Sequence, residues 1–134
     1  VLEGWALSYT SPRTMAYKSF EGSSTVKTVR DNEGNLLCVF GFRDGSAIGR
    51  GGVPWLLGTN MLYENRKELI KRSRAIIQDM LETTYNTMHN VVWAENEPSI
   101  KFLRALGFTI GEKKTLPNGT EYHEFSMIRS APHV

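Results

Sequence analysis

A long amphipathic helix between two short strands constrains the fold of this chain more than any other feature. Apolar residues recur three and four positions apart across residues 64–83, which is the spacing of one buried stripe on a helix. Residues 53–57 before this helix and residues 90–94 after it are apolar or rich in β-branched and aromatic side chains, as strands are. A helix that links two such strands is a crossover connection, so the sequence predicts that they are parallel neighbours in one sheet.

Capping signals predict where the helices begin and end. Asn65, with Glu68 three positions later, indicates a capping box at the start of the long helix. Asn96 predicts the start of a second helix, which Gly107 ends as the residue after the last helical turn. A further short helix is predicted at residues 11–20, where a serine and a first-turn proline precede a few apolar positions.

Two polar turns predict β-hairpins. The first joins residues 25–30 to residues 36–42, and the second of these strands is apolar enough to be buried on both faces. A Pro-Asn-Gly turn joins residues 109–114 to residues 121–128. Helices that alternate with strands in this order predict a sheet covered by helices rather than a helical bundle.

Composition bounds the function classes. One domain over residues 1–134 is expected from the length. Sixteen Lys and Arg against fourteen Asp and Glu leave a net charge of +2, too small a surplus to indicate a nucleic-acid partner. The three histidines lack the spacing of metal ligands, so no metal site is predicted. No apolar run approaches the roughly 20 residues of a membrane span, and no signal peptide is visible. The single cysteine, Cys38, excludes an intrachain disulfide and is predicted to lie in the core.

Residues 90–108 resemble the second half of a GCN5-related N-acetyltransferase (GNAT) domain. In that family a strand is followed by an Asn, by a small residue three positions later and by Gly-Phe at the end of a helix. Here these residues are Asn96, Ser99, Gly107 and Phe108. The resemblance implies an α/β fold with a mixed, mostly antiparallel sheet, a central parallel strand pair that splays apart, and helices on both faces. It also implies that the family's opening strand lies before Val1.

A narrower group is similar over more of the chain. Residues 52–59, the long basic helix and residues 96–108 together resemble small GNAT-like proteins of short-tailed phages, which are described as internal-virion or head-morphogenesis proteins. This resemblance implies a bacteriophage origin, other phage proteins as partners, and a location in the host cytoplasm or in the virion.

The resemblance also implies a cofactor site. In GNAT enzymes acetyl-CoA lies between the two splayed strands, with its pyrophosphate at the N-terminus of the long helix. The residues expected to bind it here are Leu57, Gly58, Thr59, Asn60, Arg66, Asn96 and Ser99. The sequence departs from the family's glycine-rich phosphate turn, because Gly58 is the only glycine in residues 58–65 and Glu64 brings a negative charge. Asn96 also fits a simple helix cap, and Arg66 fits a packed stem with an exposed guanidinium.

The general acid expected in a GNAT enzyme is missing from the sequence. The family often carries a tyrosine seven positions after the Asn, where it protonates the departing thiolate, and Leu103 stands there. Glu95 and His123 are the candidate catalytic bases, although both also suit the solvated rim of a sheet. Three functions stay open: an acyl-CoA-dependent N-acetyltransferase acting on an unidentified amine, a GNAT fold that binds CoA or another nucleotide without turnover, and an inactive virion structural, assembly or ejection protein.

Overall fold

Seven strands form one sheet in the part of the chain that the structure describes. The computed structural model describes residues 3–4, 22–45, 51–59 and 61–129. The strands are β1 (Glu3–Gly4), β2 (Ser23–Arg30), β3 (Leu36–Asp44), β4 (Gly51–Gly58), β5 (Thr87–Trp93), β6 (Thr109–Thr115) and β7 (Glu121–Ile128). Two helices, α1 (Arg66–Thr83) and α2 (Glu97–Leu106), follow β4 and β5. The helix predicted at residues 11–20 lies outside the described residues.

The sheet is mixed, with one parallel pair at its centre. Its strand order is β2-β3-β4-β5-β7-β6, and β1 pairs with β4 off this path. β4 and β5 are parallel neighbours joined by α1, as the crossover predicted, and the remaining neighbouring pairs are antiparallel. Both predicted hairpins form, with slightly longer strands than expected. The expected α/β architecture with a mostly antiparallel sheet is therefore confirmed.

The main core lies between one face of the sheet and the two helices. Successive side chains of a strand point to opposite faces, so Cys38, Phe40 and Phe42 of β3 reach the same side. Buried residues of α1 and α2 join them in a single cluster, which places both helices on that face. A smaller cluster of Val39, Trp55 and Leu57 lies on the opposite face. β3 is thus buried on both faces, as its composition predicted.

The two helices begin in different ways, and one prediction was wrong. Asn65 does not cap α1, since its side chain accepts no hydrogen bond from the first turn of the helix; its amide Nδ2 donates to the carbonyl of Met61 at 2.9 Å. The backbone of Asn65, with φ −105° and ψ 16°, is outside the extended conformation typical of a capping residue. A 3-10 turn, Tyr63–Asn65, leads into the helix in place of the expected capping box. Neither α1 nor α2 is both long and apolar enough to cross a bilayer.

The end of α2 matches the prediction. Gly107 adopts the left-handed conformation with φ 101°, and its N–H donates to the carbonyl of Arg104 at 3.0 Å. The N–H of Phe108 donates to the carbonyl of Leu103, also at 3.0 Å, and the Phe108 side chain joins the main core. These bonds satisfy the last carbonyls of the helix and turn the chain back into β6.

Candidate cofactor cleft

The parallel strands β4 and β5 separate almost as soon as they meet. Their main chains pair only at Gly51 with Thr87 and at Gly52 with Met88, the first two residues of each strand. Past these pairs, β4 runs on to residue 58 and β5 to residue 93. We call the opening between their carboxyl ends the fork. It confirms the predicted splay of the central parallel pair.

The side chain of Asn90 ties the two strands together where their ladder stops. Its Nδ2 donates to the carbonyl of Pro54 at 2.7 Å, and its Oδ1 accepts from the N–H of Val91 at 2.8 Å. A carbonyl of β4 and an N–H of β5 are thereby satisfied without strand pairing. Asn90 was not a predicted site residue. Its signal in the sequence is an amide inside an apolar strand, where Asn is depleted.

Tyr85 packs against β4 at the narrow end of the fork. Its ring lies so close to Gly52 that a Cβ atom on that glycine would approach the ring to 2.7 Å. The Tyr85 hydroxyl donates to Oδ1 of Asp44 at 2.9 Å and lies 3.0 Å from Oγ of Ser24. Only glycine fits at position 52 without a shift of the ring, so the strands are held in register at this end.

The strand β1 lies on the edge of β4 that the fork exposes. Glu3 pairs with Gly58 and Gly4 pairs with Leu57 in antiparallel register. β3 pairs with the same two residues of β4 along the opposite edge. Because a strand has two edges, β1 occupies the edge that faces β5. The sequence pattern did not predict this strand, since two residues carry no periodicity.

The expected phosphate turn between β4 and α1 is bound largely to the protein's own main chain. Oγ1 of Thr59 donates to the carbonyls of Leu36 and Leu37, at 2.8 and 3.0 Å. Gly58, the last residue of β4, is paired on both edges. Asn60 lies outside the described residues. The hydroxyl of Thr59 therefore anchors the turn to β3.

Two charged residues, Glu64 and Arg66, mark the start of α1, whereas Leu57 at the end of β4 is buried. Arg66 is the first residue of the helix and is exposed, while Glu64 is exposed in the 3-10 turn just before it. A carboxylate at this place opposes a bound phosphate. Leu57 is only 2% exposed and belongs to the smaller core cluster, so its main chain rather than its side chain is what a ligand in the fork could reach.

Asn96 caps α2, and the capping interpretation is confirmed. Its Oδ1 accepts from the N–H of Ser99 at 3.3 Å. Pro98 occupies the first turn, where its missing N–H has no intrahelical role. Asn96 and Ser99 thus lie together just beyond the carboxyl end of β5, and their part in binding a cofactor stays a prediction.

Leu103 faces the core from the middle of α2. It is 0% exposed, and it lies in the main cluster with Ile100 and Leu106 of the same helix. This is the place where the family resemblance expects the proton donor. A fully buried leucine supplies packing at this position and no proton.

The candidate bases lie near the carboxyl end of β5. Glu95 is exposed in the turn after that strand. His123 of β7 is opposite Val92 and is half-buried, with Nδ1 2.8 Å from the carbonyl of Gly111. If Nδ1 carries the proton of that contact, Nε2 is left as the basic nitrogen. Their catalytic role stays a prediction.

Among the described residues, no group of three or more His, Cys, Asp and Glu side chains is placed to hold a metal ion. A small apolar pocket of about 30 Å³ lies between α1 and strands β3 and β4. It has room for a water molecule, whereas ligand pockets measure roughly 300–1,000 Å³. The fork between β4 and β5 is the place where the family resemblance expects the cofactor.

Several solved structures with similar folds are acetyltransferases. The ribosomal-protein-S5-alanine acetyltransferase of Vibrio fischeri is 17% identical, with a TM-score of 0.65 over 87% of this chain and 67% of that one. The spermidine N-acetyltransferase of Vibrio cholerae, solved with CoA and spermine, is 13% identical, with a TM-score of 0.63 over 96% of this chain and 95% of that one. A GNAT-family acetyltransferase of Bacillus anthracis is 14% identical, with a TM-score of 0.64 over 87% and 72% of the two chains. At these identities the likeness shows a GNAT fold, and it does not bear on activity.

The amino-acid sequence points to a phage family. No curated protein matches the chain. Residues 39–115, more than half of the chain, match the family described as "Bacteriophage T7, probable scaffold protein Gp13". The matched stretch runs from β3 through both helices to β6, so it includes both sides of the fork. This chain belongs to the family of the bacteriophage T7 probable scaffold protein Gp13.

Proposed function

We propose that this protein acts in phage particle assembly through contacts with other phage proteins, and that its GNAT fold does not catalyse acetyl transfer. Membership of the scaffold-protein family supports the assembly role. The observation that carries the loss of catalysis is the complete burial of Leu103, at the place where GNAT enzymes often have a tyrosine. A positioned general acid contributes roughly 10²–10⁴ in rate, and leucine cannot supply it.

The phosphate turn supports the same conclusion. Acyl-CoA enzymes of this fold hold the pyrophosphate on free N–H groups of a glycine-rich turn. Here the N–H of Thr59 donates to the carbonyl of Leu37 in β3 at 2.9 Å, and the 3-10 turn that follows carries the carboxylate of Glu64. Each feature weakens an anion site, so cofactor binding strong enough for turnover is not expected.

A second candidate function, binding of acyl-CoA without turnover, is favoured by the fork. β4 and β5 diverge after two paired residues, so the edge of β4 that faces β5 pairs with β5 at Gly51 and Gly52 and with β1 at Leu57 and Gly58. Main-chain amides are the groups that an amide-containing ligand such as CoA can pair with. The residues proposed to contact it are those expected from the sequence, with Arg66 supplying the positive charge for a phosphate.

Complementation of a phage that lacks this protein tests the assembly proposal. The double variant Glu95→Gln and His123→Asn removes both candidate bases while it keeps side chains of similar size. We expect it to restore particle yield as well as the wild type does, because no proton transfer is involved. Quantifying the protein in assembly intermediates and in purified virions also tests the proposed location.

A destabilised variant serves as the matched control in that experiment. Gly107→Ala strains the left-handed residue that ends α2 but keeps both candidate bases and every residue expected to bind a cofactor, so it reports how sensitive particle yield is to stability alone. If the double variant is as stable as the wild type but yields no particles, catalysis by Glu95 or His123 is required and the proposal is wrong.

A further inference from the structure

The occupied edge of β4 is the feature that the proposed function leaves unexplained. β4 needs a partner along the fork, since β5 has turned away and the main-chain groups of the strand still require hydrogen bonds. Glu3 and Gly4 pair with Gly58 and Leu57 at the open end of the fork. The strand edge that would pair with the arm of an acyl-CoA is thus occupied there by the chain itself.

We propose that β1 acts as an internal strand that closes the fork and competes with acyl-CoA for the edge of β4. This proposal rests on the second candidate function, acyl-CoA binding. CoA carries two amide groups in its pantetheine arm, and amides pair with a strand edge through the same donors and acceptors that a polypeptide uses. β1 and the arm of CoA therefore cannot pair with the same edge of β4 at the same time.

Closure by β1 is an equilibrium between an open and a closed fork, because strand edges open locally in folded proteins. If the fork is open in a fraction of molecules, the apparent affinity for CoA falls by that fraction.

Hydrogen exchange of β4 measures the closure without any ligand. Glu3→Pro combined with Gly4→Pro removes both N–H groups of β1, while Glu3→Ala combined with Gly4→Ala keeps them. We expect exchange in the segment with Leu57 and Gly58 to be at least about tenfold faster in the proline variant than in the alanine control. If the amides of Leu57 and Gly58 exchange at the same rate in both variants, β1 does not close the fork and the proposal is wrong.

Titration with CoA measures the competition. We expect the proline variant to bind CoA about tenfold more tightly than the alanine control and the wild type, as release of a closed state predicts. Equal affinities in all three proteins overturn the competition while acyl-CoA binding itself stands. If none of the three binds CoA, acyl-CoA binding is wrong and the competition falls with it. The exchange result then decides by itself whether β1 closes the fork.

Discussion

The amide of Asn90 donates to the carbonyl of Pro54 at 2.7 Å and so bridges two parallel strands at the point where their main chains stop pairing. The same side chain accepts from the N–H of Val91. One side chain therefore stands in for two missing ladder bonds, those of the Pro54 carbonyl and the Val91 N–H.

Asn90→Ala is expected to destabilise the protein by about 1–3 kcal/mol, since it leaves the Pro54 carbonyl without its partner. Urea unfolding followed by circular dichroism measures the change. Gln78→Ala is the control, because Gln78 is exposed on α1 and its loss should cost little. A cost for Asn90→Ala no larger than for the control would show that the bridge does not stabilise the fork.

Two adjacent glycines give a sharper comparison. In Gly52→Ala the new Cβ would lie 2.7 Å from the Tyr85 ring, so we expect a loss of about 1–3 kcal/mol. In Gly51→Ala the new Cβ lies 3.6 Å from Oγ1 of Thr87, which is an ordinary contact, so little change is expected. Melting midpoints of the two variants test this, and equal midpoints would contradict the packing of Tyr85 on the fork.

Asn96→Ala is expected to cost about 1 kcal/mol, because the N–H of Ser99 loses its acceptor. Asn96→Asp should keep most of the stability, since aspartate is an equally good cap and its charge is favourable at a helix N-terminus. If the two variants unfold at the same urea concentration, the side chain of residue 96 does not cap α2.

Cys38 should be unreactive in the folded protein. Its side chain is fully buried, and burial raises the pKa of the thiol to about 12. At about pH 8 the folded protein then holds a thiolate fraction near 10⁻⁴, against roughly a quarter in an unfolded chain with an ordinary thiol pKa of about 8.5. Labelling with iodoacetamide should therefore follow unfolding, and rapid labelling of the native protein would contradict the buried position.

The same pKa shift sets a stability change at alkaline pH. Because the folded pKa of Cys38 is raised, its neutral thiol stabilises the fold fully below about pH 8.5, the unfolded pKa. This stability is lost as pH rises from there towards 12. Replacement of Cys38 by alanine should flatten the alkaline limb of the unfolding curve, which a pH series of urea melts would measure.

Much of the fold could be predicted because its signals are local. The stripe of α1, the apolar strands beside it and Gly107 after α2 each reflect a short stretch of sequence, and the crossover rule then makes β4 and β5 parallel. The capping box at Asn65 failed for a local reason too, since the chain enters α1 through the 3-10 turn Tyr63–Asn65, and the Asn65 amide donates back to the carbonyl of Met61.

The cleft was harder to predict because its key contacts join distant residues. Asn90 meets Pro54 across 36 positions, and Tyr85 meets Asp44 across 41. The pairing of Glu3 with Gly58 has no pattern at all in the sequence. The family resemblance supplied the place where a cofactor is expected, but the groups that already pair there are visible only in three dimensions.

The measurement that tests the central claim most directly is thiol release from acetyl-CoA by the purified wild-type protein. Polyamines, lysine-containing peptides and peptides with free N-termini serve as acceptors, and an active spermidine N-acetyltransferase is assayed beside them. With Leu103 buried where a proton donor is expected, we predict release no faster than in buffer alone for every acceptor. Release that scales with protein concentration and saturates with one acceptor would contradict the account and show that this GNAT fold is a working acetyltransferase.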